Sequence, residues 1–146
     1  PEKEALIENA PTNVIFHGNQ SSMSTVWPQI GLVLMPSRYE GLPMAALEAM
    51  SYGIPVIASP VGELPELLEN KRGWICDPNN LLSWIIQIKA FTRMNSTERK
   101  ALSHKVRHHI AEHYSADAIT PILKACYNDL LPSQTATQAA QSTQSA

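Results

Sequence analysis

The chain has 146 residues, 44% of them hydrophobic and 16% charged, which is enough for one globular domain at most. Its net charge of −2 gives no electrostatic case for nucleic acid. The densest apolar run, residues 81–91, is too short to span a bilayer and includes Gln87 and Lys89.

No signal peptide is visible, and a first residue of Pro1 rather than Met suggests a truncated or excised product. Residues 2–9 read as the end of a helix, closed by Asn9-Ala10-Pro11. Residues 12–18, centred on Val14-Ile15-Phe16, read as a strand entering a turn at Gly18. A short helix is predicted over 21–27, ending at Pro28. Gly31-Leu32-Val33-Leu34-Met35 is a short apolar run stopped by Pro36, and Ile54-Pro55-Val56-Ile57-Ala58 is another, stopped by Ser59-Pro60. Between them lies a predicted helix over 43–52. Pro43 suits its first position, residues 44–50 are nearly all strong helix formers, and Gly53 and Pro55 follow its end.

Further on, 64–69 predicts a short helix, 73–76 a strand, and Asp77-Pro78-Asn79-Asn80 a turn that caps the next helix. That helix, 81–92, is apolar enough to pack on a sheet. Another starts at Ser96 or Thr97 and runs to about Tyr114, and a final one covers 117–131 with Pro121 near its start. Residues 133–146 are Ser, Gln, Thr and Ala only, which predicts a disordered tail after a domain spanning 1–132.

The order strand, loop, helix, strand over 32–58 is a βαβ unit, and runs this apolar suit parallel strands buried on both faces. Ligands of such units bind beyond the carboxyl ends of the strands. The loop of residues 37–42 is at such an end. The helix after it offers the free N–H groups of Met44 and Ala45 and the positive end of its dipole, a site for a diphosphate. Two carboxylates flank this site, Glu40 in the loop and Glu48 about 7 Å along the helix. Carboxylates repel phosphate but accept strong hydrogen bonds from diols, so a sugar on one side and a ribose on the other would satisfy both. Taken singly, each is equally a solvated surface charge.

Pro36, Ser37, Glu40, Gly41, Pro43, Glu48, Ala49, Met50, Gly53, Pro55, Val56, Ile57 and Ala58 together match a longer pattern. The stretch resembles the carboxyl-terminal domain of the retaining, metal-independent glycosyltransferases of the GT-B fold. That group includes glycogen and sucrose synthases and many lipopolysaccharide and capsule sugar transferases. The resemblance covers about residues 4–131 and implies an α/β, Rossmann-like parallel sheet. The sheet would be incomplete, without the domain's first two strands and without the amino-terminal domain. Those strands bring a Gly-Arg segment and a Lys that neutralise the diphosphate. Without them the strand at Val14–Phe16 has no natural neighbour, and a strand that should be central becomes an exposed edge.

By the same resemblance, Glu40 would contact the donor sugar near the reacting carbon as the catalytic residue, and Glu48 would hold the ribose hydroxyls. Ser37 shares their loop, and the backbone of Gly41, Leu42 and Met44 would contact diphosphate or sugar. Gly18 and Gln20, in a short segment like the family's V-x-F-x-G and the loop after it, would border the nucleobase. Two departures stand out. Gly31 replaces an Asp common before the second strand, and Glu63 replaces the second glycine of V-G-G-x-x-E. If that position needs positive φ, Glu63 is strained or the loop is rearranged.

The implied function is transfer of a sugar from a UDP- or GDP-sugar to a hydroxyl of a glycan, lipid-linked or other acceptor, with retention. It needs no cofactor or metal and would run in the cytoplasm, at the inner face of the membrane, with peripheral membrane contact. The chain alone would supply part of the donor site and be inactive. The alternative is a truncated, catalytically inactive α/β binding or interaction module.

His104/His108 and His109/His113 have the four-residue spacing of helical metal ligands, but no cysteine or carboxylate partner is obvious. A solvated basic face with Lys105 and Arg107 is the preferred reading, with a weak contact to anionic lipid headgroups as another. Cys76 and Cys126 show no metal or redox spacing and read as free thiols in a reducing compartment.

Overall fold

The structure is a computed structural model that describes residues 2–130, with side chains from Glu4 onward. The expected tail, 133–146, lies outside the described residues. The chain divides into two compact units, residues 1–30 and 31–146.

In the first unit, helix α1 (Glu2–Glu8) is closed by Asn9, whose backbone and side-chain N–H groups both donate to the Ala5 carbonyl. The strand expected at Val14–Phe16 does not form. Val14 donates its N–H to the Pro11 carbonyl in a turn, and Val14, Ile15 and Phe16 are exposed. A strand exists by pairing, and among the described residues this segment has no partner strand. The helix expected over 21–27 is instead two short 3-10 turns, Met23–Thr25 and Trp27–Gln29, with Pro28 inside the second. Pro28 ends nothing there because the first positions of a helical turn need no N–H.

The second unit is built on a parallel sheet in the order β1 (Val33–Met35), β2 (Val56–Ala58), β3 (Gly73–Ile75). Val33 pairs with Val56, and Val56 with Gly73. This is the consecutive half of a Rossmann order, so β1 is an edge strand, and Leu34 on it is exposed. Side chains of a strand alternate between faces. Val56 and Ala58 face one core with Ala46, Met50, Leu64, Leu67, Val106 and Ile110, while Ile57 faces the other with Cys76 and Trp84.

The first core is covered by α2 (Met44–Ser51), α3 (Leu64–Leu67) and α5 (Ser96–His113). The second is covered by α4 (Leu81–Arg93), through Trp84 and the partly buried Ile88. Helix α6 (Ala116–Leu130) is the last described element and has no buried residue. Pro121 lies within it, near its start as expected.

Local chemistry sets the helix ends. Pro43 is the N-cap of α2 rather than its first residue, because its ψ of 112° is extended. Its carbonyl takes the N–H groups of Ala46 and Leu47. At the other end Gly53 N–H bonds the Met50 carbonyl and Ile54 N–H bonds the Ala49 carbonyl, a Schellman cap. Gly53 has φ +77°, and a Cβ there would run into Ser103 of α5. Asn80 caps α4 as expected. Asn95 caps α5 through a reciprocal box, accepting from Thr97 and Glu98 N–H while Glu98 accepts from Asn95 N–H.

Candidate functional site

The loop of residues 37–42 leaves the carboxyl end of β1 and enters α2. Its carboxylate is held: Ser37 Oγ donates to Glu40 Oε1 at 2.7 Å, and both residues are half-buried. The loop is gripped from the far side as well. Gly62, at φ +55°, lies so close that a Cβ would meet the carbonyl oxygens of Glu40 and Gly41. Glu63 N–H bonds the Gly41 carbonyl at 3.0 Å.

Glu63 itself has φ −82° and is the N-cap of α3, so it is not strained. Gly62 alone carries the positive φ of this pair. The strain that Glu63 would bring if its position needed positive φ is therefore absent.

Beyond Glu40 the chain turns into α2. Only Ala46 and Leu47 donate to the Pro43 carbonyl, and the first N–H groups of a helix, here those of Met44 and Ala45, have no acceptor within it. The N-cap residue, Pro43, makes no side-chain hydrogen bond to them. Leu42 and Met44 are exposed, so this end of the helix faces solvent.

Glu48 is four residues past Met44, on the same face. Both line a hollow of about 330 Å³ between α2 and α5, with Ser51, Arg107 and Tyr114. Arg107 is positioned by donating from Nη2 to the Tyr52 carbonyl at 2.9 Å, just past the end of α2. Of the eight residues singled out by sequence, six lie in this second unit: Ser37, Glu40, Gly41, Leu42, Met44 and Glu48. Gly18, at φ +67°, and Gln20, whose side chain donates to the His17 carbonyl, belong to the first unit.

Sequence reasoning passed over two features. Ser59 follows β2 and is fully buried, and its hydroxyl has no hydrogen-bond partner among the described residues. Its N–H bonds the Met35 carbonyl, which places it where the loop after β1 begins. A serine between Ala58 and Pro60 gives no signal of burial. The second feature is a polar hollow of about 440 Å³ lined by Glu66, Glu69, Arg72, His109, His113 and Tyr114.

Arg72 is buried in its wall and donates to the Leu67 and Glu66 carbonyls at the end of α3. Burial, then the charges of Arg72 and His113, hold the His109 imidazole below its ordinary value, against the opposing pull of Glu112. Burial, then Glu66, pushes the Tyr114 phenol up. Among the described residues, no three His, Cys, Asp or Glu side chains stand close enough to hold a metal ion. His108 Nδ1 is already paired with Glu112 at 2.8 Å.

Residues 1–109 match the family model described as Glycosyl transferases group 1. The chain belongs to that family.

Similar proteins of the family are longer. WcaL of Salmonella typhimurium, provisionally named a colanic acid biosynthesis glycosyltransferase, is 31% identical over 81 residues, 55% of this chain and 20% of WcaL. The D-inositol 3-phosphate glycosyltransferase of Mycobacterium leprae is 29% identical over 122 residues, 82% of this chain and 28% of that protein. Among solved structures, the sucrose-phosphate synthase of Thermosynechococcus elongatus superposes with a TM-score of 0.77 at 24% identity. The match covers 88% of this chain and 33% of that one, and shows the shared α/β fold. No described helix of this group 1 chain is long and apolar enough to cross a membrane.

Proposed function

We propose that this group 1 chain forms part of the donor-binding domain, residues 1–132, of an enzyme that transfers a sugar from a nucleotide-activated donor to an acceptor hydroxyl with retention and without a metal. The observation that carries the reading is the anchored Glu40 just before the solvent-facing start of α2, with Glu48 one turn in. The helix start receives the donor diphosphate on the N–H groups of Met44 and Ala45, and stabilises its charge as the bond to the sugar breaks. The backbone of Gly41 and Leu42 lines the same approach.

Glu40, with one oxygen occupied by Ser37, keeps its other lone pairs for the sugar hydroxyls. Glu48 takes the ribose diol. Gly18 and Gln20 are assigned to the nucleobase on resemblance alone. The leaving phosphate accepts the acceptor's proton. The acceptor is a hydroxyl of a glycan or a lipid-linked saccharide, and the reaction runs in the cytoplasm at the inner face of the membrane.

Calorimetric titration of the folded chain with UDP and with GDP tests this, with Glu48→Ala as control. Binding of one nucleotide that is lost in the variant supports the reading and names the base. No binding by a folded chain would favour the non-catalytic module.

A further inference from the structure

We propose that the polar hollow between α3 and the end of α5 binds a neutral saccharide through its neighbouring hydroxyls. The hollow measures about 440 Å³, within the range of small-molecule sites. Glu66 of α3, Glu69 and Arg72 of the segment before β3, and His109, His113 and Tyr114 of α5 and its C-cap line it. None of them belongs to α2 or to the loop of residues 37–42, and the inference does not rest on the donor-site reading.

The charged groups that border the hollow do not pair with one another. Arg72 is 8% exposed, and it donates from Nε to the Leu67 carbonyl at 2.9 Å and from Nη2 to the Glu66 carbonyl at 2.8 Å. Those bonds fix the guanidinium against the end of α3, and neither goes to a carboxylate. The Glu66 and Glu69 side chains are exposed, and among the described residues they accept no hydrogen bond and form no ion pair. A fixed cation and two unpaired carboxylates around one hollow offer donors and acceptors to a single guest, already in place.

The guest must serve both signs of charge. An anion meets two carboxylates against one fixed cation: burial, then Arg72, holds the His109 imidazole below its ordinary value, so that ring adds no charge at neutral pH. A metal ion finds no three His, Cys, Asp or Glu side chains close enough among the described residues. An ammonium group donates to the carboxylates but has no lone pair for Arg72. A hydroxyl both donates and accepts, and neighbouring hydroxyls of a pyranose can serve a carboxylate and a guanidinium at once. Tyr114 adds a phenol that stays protonated, because burial, then Glu66, pushes it up, and so it donates and accepts as well. Its ring, with the His109 ring edge-on at 5.6 Å, gives the C–H face of the sugar an apolar wall.

Nuclear magnetic resonance of the full chain is the test. The ring signals of His109, His113 and Tyr114 and the backbone amides are followed during separate titrations with glucose, galactose, mannose, N-acetylglucosamine and inorganic phosphate. At least one sugar should shift the three ring signals with a Kd of about 1–10 mM, and phosphate should not. Glu66→Ala with Glu69→Ala should weaken that sugar about tenfold. Both side chains are exposed and unpaired, and the titration of the unmodified chain stands without any variant. No ring shift with any sugar up to about 50 mM, an unchanged affinity in the variant, or a response to phosphate in place of sugar would overturn the proposal. So would sugar shifts confined to residues 37–48, which would belong to the donor site instead.

Discussion

Glu63 donates its backbone N–H to the Gly41 carbonyl at 3.0 Å, and so ties the loop after β2 to the loop after β1. The contact is close because Gly62 has no side chain: a Cβ there would strike the carbonyls of Glu40 and Gly41. The position of Glu40 is therefore set by Ser37 from its own loop and by residues 62–63 from the next.

Gly62→Ala should destabilise the fold by about 2–3 kcal/mol, since it adds both positive-φ strain and a backbone collision. Urea unfolding measures it. A loss below about 0.5 kcal/mol would mean that the two loops are not locked together.

Ser37→Ala should leave stability and UDP or GDP affinity nearly unchanged. If Glu40 holds the donor sugar as proposed, the substitution should weaken the corresponding nucleotide sugar about three- to tenfold, because it removes the hydrogen bond that fixes the Glu40 carboxylate. Paired titrations of nucleotide and nucleotide sugar separate the two effects, and equal losses for both would remove Glu40 from the sugar's side of the site.

Asn95→Ala removes an N-cap that accepts from both Thr97 and Glu98 N–H. A cost of about 1 kcal/mol is expected, lowering Tm by about 3–5 °C. An unchanged melting curve would mean that α5 is held by packing alone.

Stability should fall as pH drops through the range of His109. Its folded-state value is depressed below the ordinary 6.5, chiefly by burial, so the unfolded chain takes up protons first. The contribution is fully present above 6.5 and is lost as pH falls through the depressed value. Arg72 and His113 oppose the added charge, while Glu112 favours it. Thermal melts at pH 7.5 and 5.5 should show a smaller difference in His109→Gln than in the unmodified chain. An identical pH dependence would assign the effect to other groups.

The βαβ unit was legible from residues alone because its signals are local and agree. Formers fill 44–50, Gly53 supplies the left-handed cap, and the apolar runs on both sides have no other place than a buried sheet. The segment Val14–Phe16 had equally good strand composition and failed, since composition sets the tendency to pair and only a neighbour completes it. Pro43 differed for a related reason. Proline fits both the N-cap and the first position of a helix, and the backbone of the surrounding loop decides between them.

The sequence by itself determined the element order around 31–58 and the two glutamates with seven residues between them. These depend on spacing along the chain, which folding does not change. Tertiary structure alone decided that Ser37 holds Glu40, that Gly62 rather than Glu63 carries the positive φ, and that Ser59, Arg72 and His109 meet buried surroundings. Each of these follows from one loop or helix approaching another within contact distance, and such approaches are fixed only when the cores on both faces of the sheet close.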